Sequence, residues 1–341
     1  MIKIGIIGCG HWGSNHVRIF NTLENARIKI CCDPNRQRLE ALRKIYPDLK
    51  FSTDYRDSIN DKSIDAVVVA TPTATHYQIV KTALLSGKHV LCEKPLSIRT
   101  RESQDLISLA RKKRKIIMVG YVFLYNNGIL ALKNFIEKNT LGRVFYLHFT
   151  RTNLGPIRDD VDVIYDLASH DIAIASFLLK KWPDSASAHA GYFLRRKIAD
   201  TAFITLHYPA NILVNIHVSW LDPKKIRRLT CVGDKKMAIW DDLDTAEPVK
   251  VFDKGVIREP FYSDYGEFHL LPREGEVVSP SIRLYEPLKN QNSHFLDCIS
   301  TNKSSLTNGA FGQNVTRILE AITVSKKNKG YIQKITRSEY K

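Results

Sequence analysis

The period of the apolar positions changes near residue 121. Before it, short unbroken apolar runs alternate with amphipathic stretches. Ile2, Ile4, Ile6 and Ile7 open the chain, and their β-branched side chains favour a strand. Ile28, Ile30, Cys31 and Cys32 form a second run. Ala66, Val67, Val68 and Val69 form a third with no polar position, the pattern of a strand covered on both faces. Runs over 88–92 and 116–120 follow, and helical periodicity fills 35–46, 75–86 and 99–114 between them. Strands alternating with helices predict an α/β, doubly wound parallel sheet. After 121 the pattern predicts a helix over 125–139 and alternating β-rich runs over 143–150, 185–194, 201–208, 212–220, 227–233 and 236–240. Short connections make this a large, open, mostly antiparallel sheet, with one face left for helices or a partner subunit. A helix over 165–179 interrupts it, 259–279 reads as a loop, and helices over 291–300 and 309–327 close the chain. The change of pattern sets the expected domains at 1–121 and 122–341, the second also α/β.

The turn after the first run carries Gly8, Gly10 and Gly13, spaced G-x-G-x-x-G, ahead of a helix. Glycines there let backbone approach a pyrophosphate, and the helix N-terminus offers unpaired N–H donors and a favourable dipole. Asp33 stands 20 residues past Gly13, at the end of the second run, where a carboxylate accepts hydrogen bonds from an adenosine ribose. A plain glycine turn is the alternative, and the order strand, glycines, helix, strand, acid argues against it.

Ligands of doubly wound sheets bind beyond the carboxyl ends of the strands. Thr71-Pro72, Glu93-Lys94-Pro95 and Gly120-Tyr121 all follow predicted strands. Lysines are usually solvated, but Lys94 directly follows a buried strand and is held between Glu93 and Pro95. A partly buried ammonium beside a carboxylate suits proton transfer to or from an alcohol. Asp166 and His170 are spaced i, i+4 on the interrupting helix, so both lie on one face. Alone they suit a capped helix with a core histidine. Beside a nicotinamide, His170 becomes a proton shuttle assisted by Asp166, and Asp171 a structural neighbour.

Composition changes this picture little. A chain of 341 residues suggests two domains, and 44% hydrophobic residues support a packed core. No run of 18 apolar residues occurs, so no membrane partner is expected, and the glycine-interrupted opening is no secretory signal. Cys9, Cys31, Cys32, Cys92, Cys231 and Cys298 show no C-x-x-C pairing; buried reduced thiols in a cytoplasmic protein are expected, with no metal site. The net charge of +16 is spread along the chain, as on a lysine-rich solvated surface, so no nucleic-acid partner is expected. Such a field still attracts an acidic or phosphorylated substrate.

Gly8-Cys9-Gly10-His11-Trp12-Gly13, Ala70-Thr71-Pro72-Thr73 with His76, Glu93-Lys94-Pro95 and Asp166-Leu167-Ala168-Ser169-His170-Asp171 together resemble the Gfo/Idh/MocA oxidoreductases, over essentially the whole chain. The resemblance implies a Rossmann domain followed by an open, mostly antiparallel sheet that forms dimers or tetramers. It implies NAD(P)-dependent oxidation of a sugar or cyclitol hydroxyl, or the reverse reduction. Gly8, Gly10, His11, Trp12, Gly13, Asp33, Thr71, Pro72, His76, Glu93 and Lys94 would then serve the cofactor. Lys94, His170 and Asp166 would be catalytic. Lys94, Tyr121, Arg151, Arg158, Asp166 and His170 would meet the substrate. Asp33 favours NAD because a carboxylate repels a 2′-phosphate; Arg36 and Arg38 keep NADP possible. The stretches 151–158 and 219–223 resemble the branch acting at C3 of UDP-N-acetylglucosamine or its uronate in polysaccharide synthesis. There Arg151 and Arg158 would meet a diphosphate or carboxylate, or else be plain surface arginines. Where that family often has two glycines, this chain has Asp162-Val163-Ile164-Tyr165. The alternatives are a free-sugar or inositol dehydrogenase, a dTDP-keto-sugar ketoreductase, and a non-catalytic NAD(P)-binding regulator.

Overall fold

The computed structural model describes residues 1–260 and 268–336. In chain order the elements are β1 (Ile2–Ile7), α1 (His11–Phe20), β2 (Ala26–Cys32), α2 (Arg36–Ile45), β3 (Lys50–Ser52), α3 (Arg56–Asn60), β4 (Ala66–Val69), α4 (Thr73–Leu85), β5 (His89–Cys92), α5 (Thr100–Lys113) and β6 (Ile117–Val119). A 3-10 turn (Val122–Tyr125), α6 (Asn127–Glu137), β7 (Val144–Leu154), a π-helical turn (Ile164–Ala168) and α7 (Ser169–Leu179) follow. Then come β8 (Ser185–Gly191), β9 (Thr201–Tyr208), β10 (Ile212–Ser219), β11 (Leu221–Gly233), β12 (Met237–Asp241), β13 (Val249–Phe252), β14 (Gly255–Pro260), β15 (Phe268–Arg273) and β16 (Val277–Val278). The chain ends with α8 (Pro287–Thr301), α9 (Gly309–Lys327) and β17 (Gln333–Lys334). These elements form two compact units, one of 1–125 with 285–320 and one of 126–284 with 321–341.

The first unit is built on a parallel six-stranded sheet in the order β3-β2-β1-β4-β5-β6. This is the Rossmann order, and it reverses between β1 and β4, where the carboxyl ends diverge into a ligand crevice. Ala66, Val67, Val68 and Val69 are wholly buried, as an unbroken apolar run between two helical layers requires. The sequence assigned everything after 121 to the second domain, whereas α8 and α9 up to Glu320 cluster with the first. α8 packs on α1 and the 3-10 turn. Thr307 extends beside β6, its Oγ1 donating to Val119 O at 2.7 Å. Helical periodicity reveals an apolar face but not which surface will cover it.

His89 begins β5, and its Nδ1 accepts the Ile116 N–H at 3.1 Å. Burial, helped by Lys115, lowers its pKa from 6.5 to about 4. The folded state therefore resists a proton that the unfolded chain accepts, so this histidine costs stability as pH falls from about 6.5 towards about 4. Urea midpoints of wild type and His89→Gln between pH 7 and pH 4 should diverge, the variant losing less. Parallel curves would show that His89 contributes no part of the slope.

The second unit carries a nine-stranded mixed sheet in the order β16-β13-β12-β11-β7-β10-β9-β8-β17. Its β7–β10 pair is parallel, and the other pairs are antiparallel. Val214, Ile216 and Val218 alternate with Leu213, Asn215 and His217, so one face is buried and the other half-open. Every residue of α7 from Ser169 to Leu178 is buried, which makes it a core helix. The expected loop over 259–279 is corrected in its described part. β14 and β15 form an antiparallel pair, and β16 adds to β13. Residues 261–267 of that stretch lie outside the described residues. The adjacent apolar pairs Val256-Ile257 and Leu270-Leu271 show no alternation that would mark a strand.

Candidate functional site

In the first unit, the glycine turn follows β1 directly. Gly8 has φ +90°, and a Cβ there would lie 2.5 Å from Ala70 O. A Cβ on Gly13 would lie 1.7 Å from Gly8 O, so α1 can close on the turn only through glycine. At Gly10 a Cβ would reach nothing nearer than Arg38 Nη1 at 3.7 Å, leaving that side open to a ligand. Gly10 is also the N-cap of α1, with no side chain capping the first turn, so its N–H groups stay available to a pyrophosphate. Exposed His11 and partly exposed Trp12 occupy that turn, ring to ring at 5.6 Å.

Asp33 follows β2. Its Oδ2 accepts the Cys9 N–H at 2.7 Å, and its Oδ1 accepts the Asn35 N–H at 2.8 Å. The carboxylate is thus fixed on the turn itself. Arg38 Nη1 lies 3.4 Å from the same Oδ2. This set fits an adenosine ribose bound by Asp33, with Arg38 alongside. Asp33→Ser should narrow the preference for NAD over NADP by removing the repelling charge while keeping Arg38. The ratio of the two kcat/KM values measures this, and a wild type already preferring NADP would overturn the role given to Asp33.

Thr71-Pro72 follows β4 and Glu93-Lys94-Pro95 follows β5. Buried His76 joins them, its Nδ1 2.8 Å from Pro95 O and its Nε2 2.9 Å from Thr71 O. It therefore shapes the wall of the crevice by holding two loops together. Lys94 is only 7% exposed, and its peptide bond to Pro95 is cis. Glu93 is buried with it, and its carboxylate lies 3.0 Å from Nε2 of His16 on α1. No feature of the sequence pointed to His16; it sits 77 residues from its partner. Tyr121 is fully buried against Phe311 at 5.6 Å, and its hydroxyl has no hydrogen-bond partner among the described residues. Burial pushes that phenol well above its ordinary pKa.

The second unit holds the other predicted residues. The expected continuous helix over 165–179 opens as a π turn, which carries Asp166, and becomes α7 at Ser169. The i, i+4 geometry of an α-helix therefore does not apply between Asp166 and His170. π turns are frequent at functional sites. Asp166 Oδ1 accepts from Arg158 Nη1 at 3.0 Å, and its Oδ2 accepts from Trp220 Nε1 at 3.2 Å. Arg158 also grips Asp160 with Nε at 2.9 Å and Nη2 at 2.6 Å. Burial works to lower the Arg158 pKa, but Asp160 and Asp166 outweigh it and raise the value. His170 is buried in the first turn of α7. Where two glycines were expected, Asp162 accepts the Tyr165 N–H at 3.1 Å and pairs with Lys326.

Arg151 points into the core from β7. Its Nε and Nη2 both donate to Asp171 Oδ1, at 2.9 and 2.7 Å. Arg151 is 4% exposed and Asp171 1%, so this guanidinium serves the core in the present geometry. Asp171 is structural, as expected. Arg227 is the register partner of Arg151 across β7 and β11, and it pairs with Asp242. Burial, with Arg151 adding to it, lowers the Arg227 pKa. Two arginines thus stand side by side, Arg151 paired with Asp171 and Arg227 with Asp242. Neither Arg227 nor Asp242 was foreseen, because strand register is invisible in sequence.

All six cysteines are buried and free. Among the described residues, no group of three or more His, Cys, Asp or Glu could hold a metal ion, and no helix is long and apolar enough to cross a membrane.

Comparison with known proteins agrees with both units. Residues 2–121 match the oxidoreductase family model with an NAD-binding Rossmann fold, and 129–239 match the GFO/IDH/MocA C-terminal domain. An inositol 2-dehydrogenase of Salmonella typhimurium is 30% identical over 185 residues, 53% of this chain and 55% of that protein. The match thus spans about half the length of that curated relative. The UDP-N-acetylglucosamine 3-dehydrogenase GnnA of Acidithiobacillus ferrooxidans has the same fold, with TM-score 0.81 and 21% identity, covering 96% of this chain and 98% of that one. An Agrobacterium radiobacter oxidoreductase, solved with NAD+, L-tartaric acid and magnesium, also shares the fold, with TM-score 0.79 and 19% identity over 98% of both chains. With the glycine turn, Asp33, Glu93-Lys94-Pro95 and the strand orders observed above, these matches establish that the chain belongs to the Gfo/Idh/MocA family of oxidoreductases.

Proposed function

We propose that this chain is an NAD-dependent dehydrogenase moving a hydride between the nicotinamide and a ring carbinol, at C3 of a UDP-linked N-acetylamino sugar. The observation that carries the reading is the cradle of the first unit. A turn with an uncapped helix N-terminus and a fixed Asp33 lies at the crevice of the sheet, and buried Lys94 follows β5, two strands from β1. NAD, when bound, supplies the hydride acceptor. Lys94 holds the substrate hydroxyl, and His170 takes or returns its proton, with Asp166 held ready by Arg158 and Trp220. The net charge of +16 favours an anionic diphosphate substrate.

A second reading, inositol oxidation, is favoured by the curated relatives named inositol 2-dehydrogenase. It also fits the engagement of Arg151 by Asp171 and of Arg158 by Asp160. The deciding experiment follows NADH appearance with UDP-N-acetylglucosamine, its uronate, myo-inositol and glucose, with and without 2-oxoglutarate. At least about tenfold higher kcat/KM for a UDP sugar supports the proposal, a difference of about 1.4 kcal/mol. A preference for inositol selects the second reading, and no turnover on any of them points to a regulator. Half-exposed Tyr146, Phe203 and Leu213 on the outer face of the nine-stranded sheet suit burial in a homodimer or homotetramer, which the mass in solution will test.

A further inference from the structure

We infer that His16 is a positioning residue, holding Lys94 in place through Glu93. The inference rests on the reading of Lys94 as the residue that holds the substrate hydroxyl. His16 lies on α1, one turn after the glycine turn, and is completely buried. Its Nε2 lies 3.0 Å from Glu93 Oε1, so this nitrogen donates to the carboxylate; its ring stacks on Phe20 at 6.2 Å. The other oxygen, Oε2, accepts the backbone N–H of Lys94 at 3.3 Å. A Cβ on Gly120 would lie 3.1 Å from the carboxylate, so the absence of a side chain there makes room for it. Glu93 is only 7% exposed, and a carboxylate removed from water needs its donors. Among the described residues they include the His16 imidazole and one long amide contact from Lys94.

The geometry forms a chain of contacts. The turn proposed to grip the pyrophosphate leads into α1, α1 carries His16, and His16 orients Glu93. Glu93 in turn holds the backbone from which the Lys94 side chain departs. A shift of the turn is thereby transmitted to the ammonium. Reacting groups must be held within a fraction of an ångström, and supporting hydrogen bonds supply that precision. His16 need not touch substrate or cofactor to matter.

The test uses the full chain and five variants: His16→Leu, His16→Asn, His16→Gln, Lys94→Ala and the double variant His16→Asn with Lys94→Ala. Gln can place an amide near the position of Nε2, while Asn falls short. The first readout is amide hydrogen exchange, which needs no substrate. His16→Leu and His16→Asn should speed exchange over 93–97 by about tenfold or more, leave 11–20 near wild type, and be rescued by His16→Gln. Unchanged exchange over 93–97, or an equal rise across α1, overturns the inference. The second readout is kinetic, on the best substrate of the panel above. His16→Asn should lower kcat about tenfold, with KM for NAD within about twofold. In a Lys94→Ala background the same change should add nothing, because the two act as one unit. An additive loss overturns the inference. Wild-type turnover by Lys94→Ala alone sinks instead the catalytic reading of Lys94, and the exchange result then stands by itself.

Discussion

Lys94→Ala is expected to lower kcat by about 10²-fold or more, because the substrate hydroxyl loses the charged group that positions it. The affinity for NAD should stay near wild type, because the turn, the α1 N-terminus and Asp33 are untouched. Lys94→Arg should not restore the rate. A guanidinium keeps the charge, but its planar fork is larger than an ammonium and needs room that a residue 7% exposed lacks. Steady-state kinetics with titration of NAD by fluorescence separates the two quantities. Retention of wild-type kcat in the alanine variant would remove Lys94 from the chemistry.

Asp171→Leu should be the most destabilising single change in the second unit. It takes the Asp171 carboxylate away from the Arg151 guanidinium, 4% exposed, which lies beside Arg227 at the register position on β11. The Asp242 carboxylate would still pair with Arg227. Breaking a buried pair costs about 3–5 kcal/mol, and each kcal/mol corresponds to roughly 2–4 °C in a unit of this size. Arg151→Met combined with Asp171→Leu should recover most of the loss, since an apolar pair of similar volume removes both the charge and its penalty. Thermal unfolding of the three proteins decides the matter. Equal destabilisation of single and double variants would show that the cost lies in packing and not in the buried charge. The double variant also separates stability from substrate binding at Arg151.

The contrast between the two halves of the chain has a physical cause. In the first, each strand is a local apolar run and each helix a local period, so β1, β2, β4, β5 and β6 follow from neighbouring residues. The glycine turn is equally local, since its three glycines answer contacts made within the turn and with Ala70. α9 is legible residue for residue over Gly309–Lys327. β3, α3 and the sheet-edge strands β16 and β17 are too short to carry a period. The β14–β15 pair lacks the alternation that would mark it.

By itself, the sequence determined the kind of protein this is: the Rossmann half, the crevice residues after β1, β2, β4 and β5, and the family to which they belong. Folding alone decided which polar groups meet. The His16–Glu93, Arg151–Asp171 and Trp220–Asp166 partners stand 77, 20 and 54 residues apart. It also decided that 285–320 returns to the first unit, and that the chain enters α7 through a π turn. Short-range periodicity records which face of an element is apolar. Register, burial and partner choice arise only when distant elements close on one another, and no residue carries that information in its neighbours.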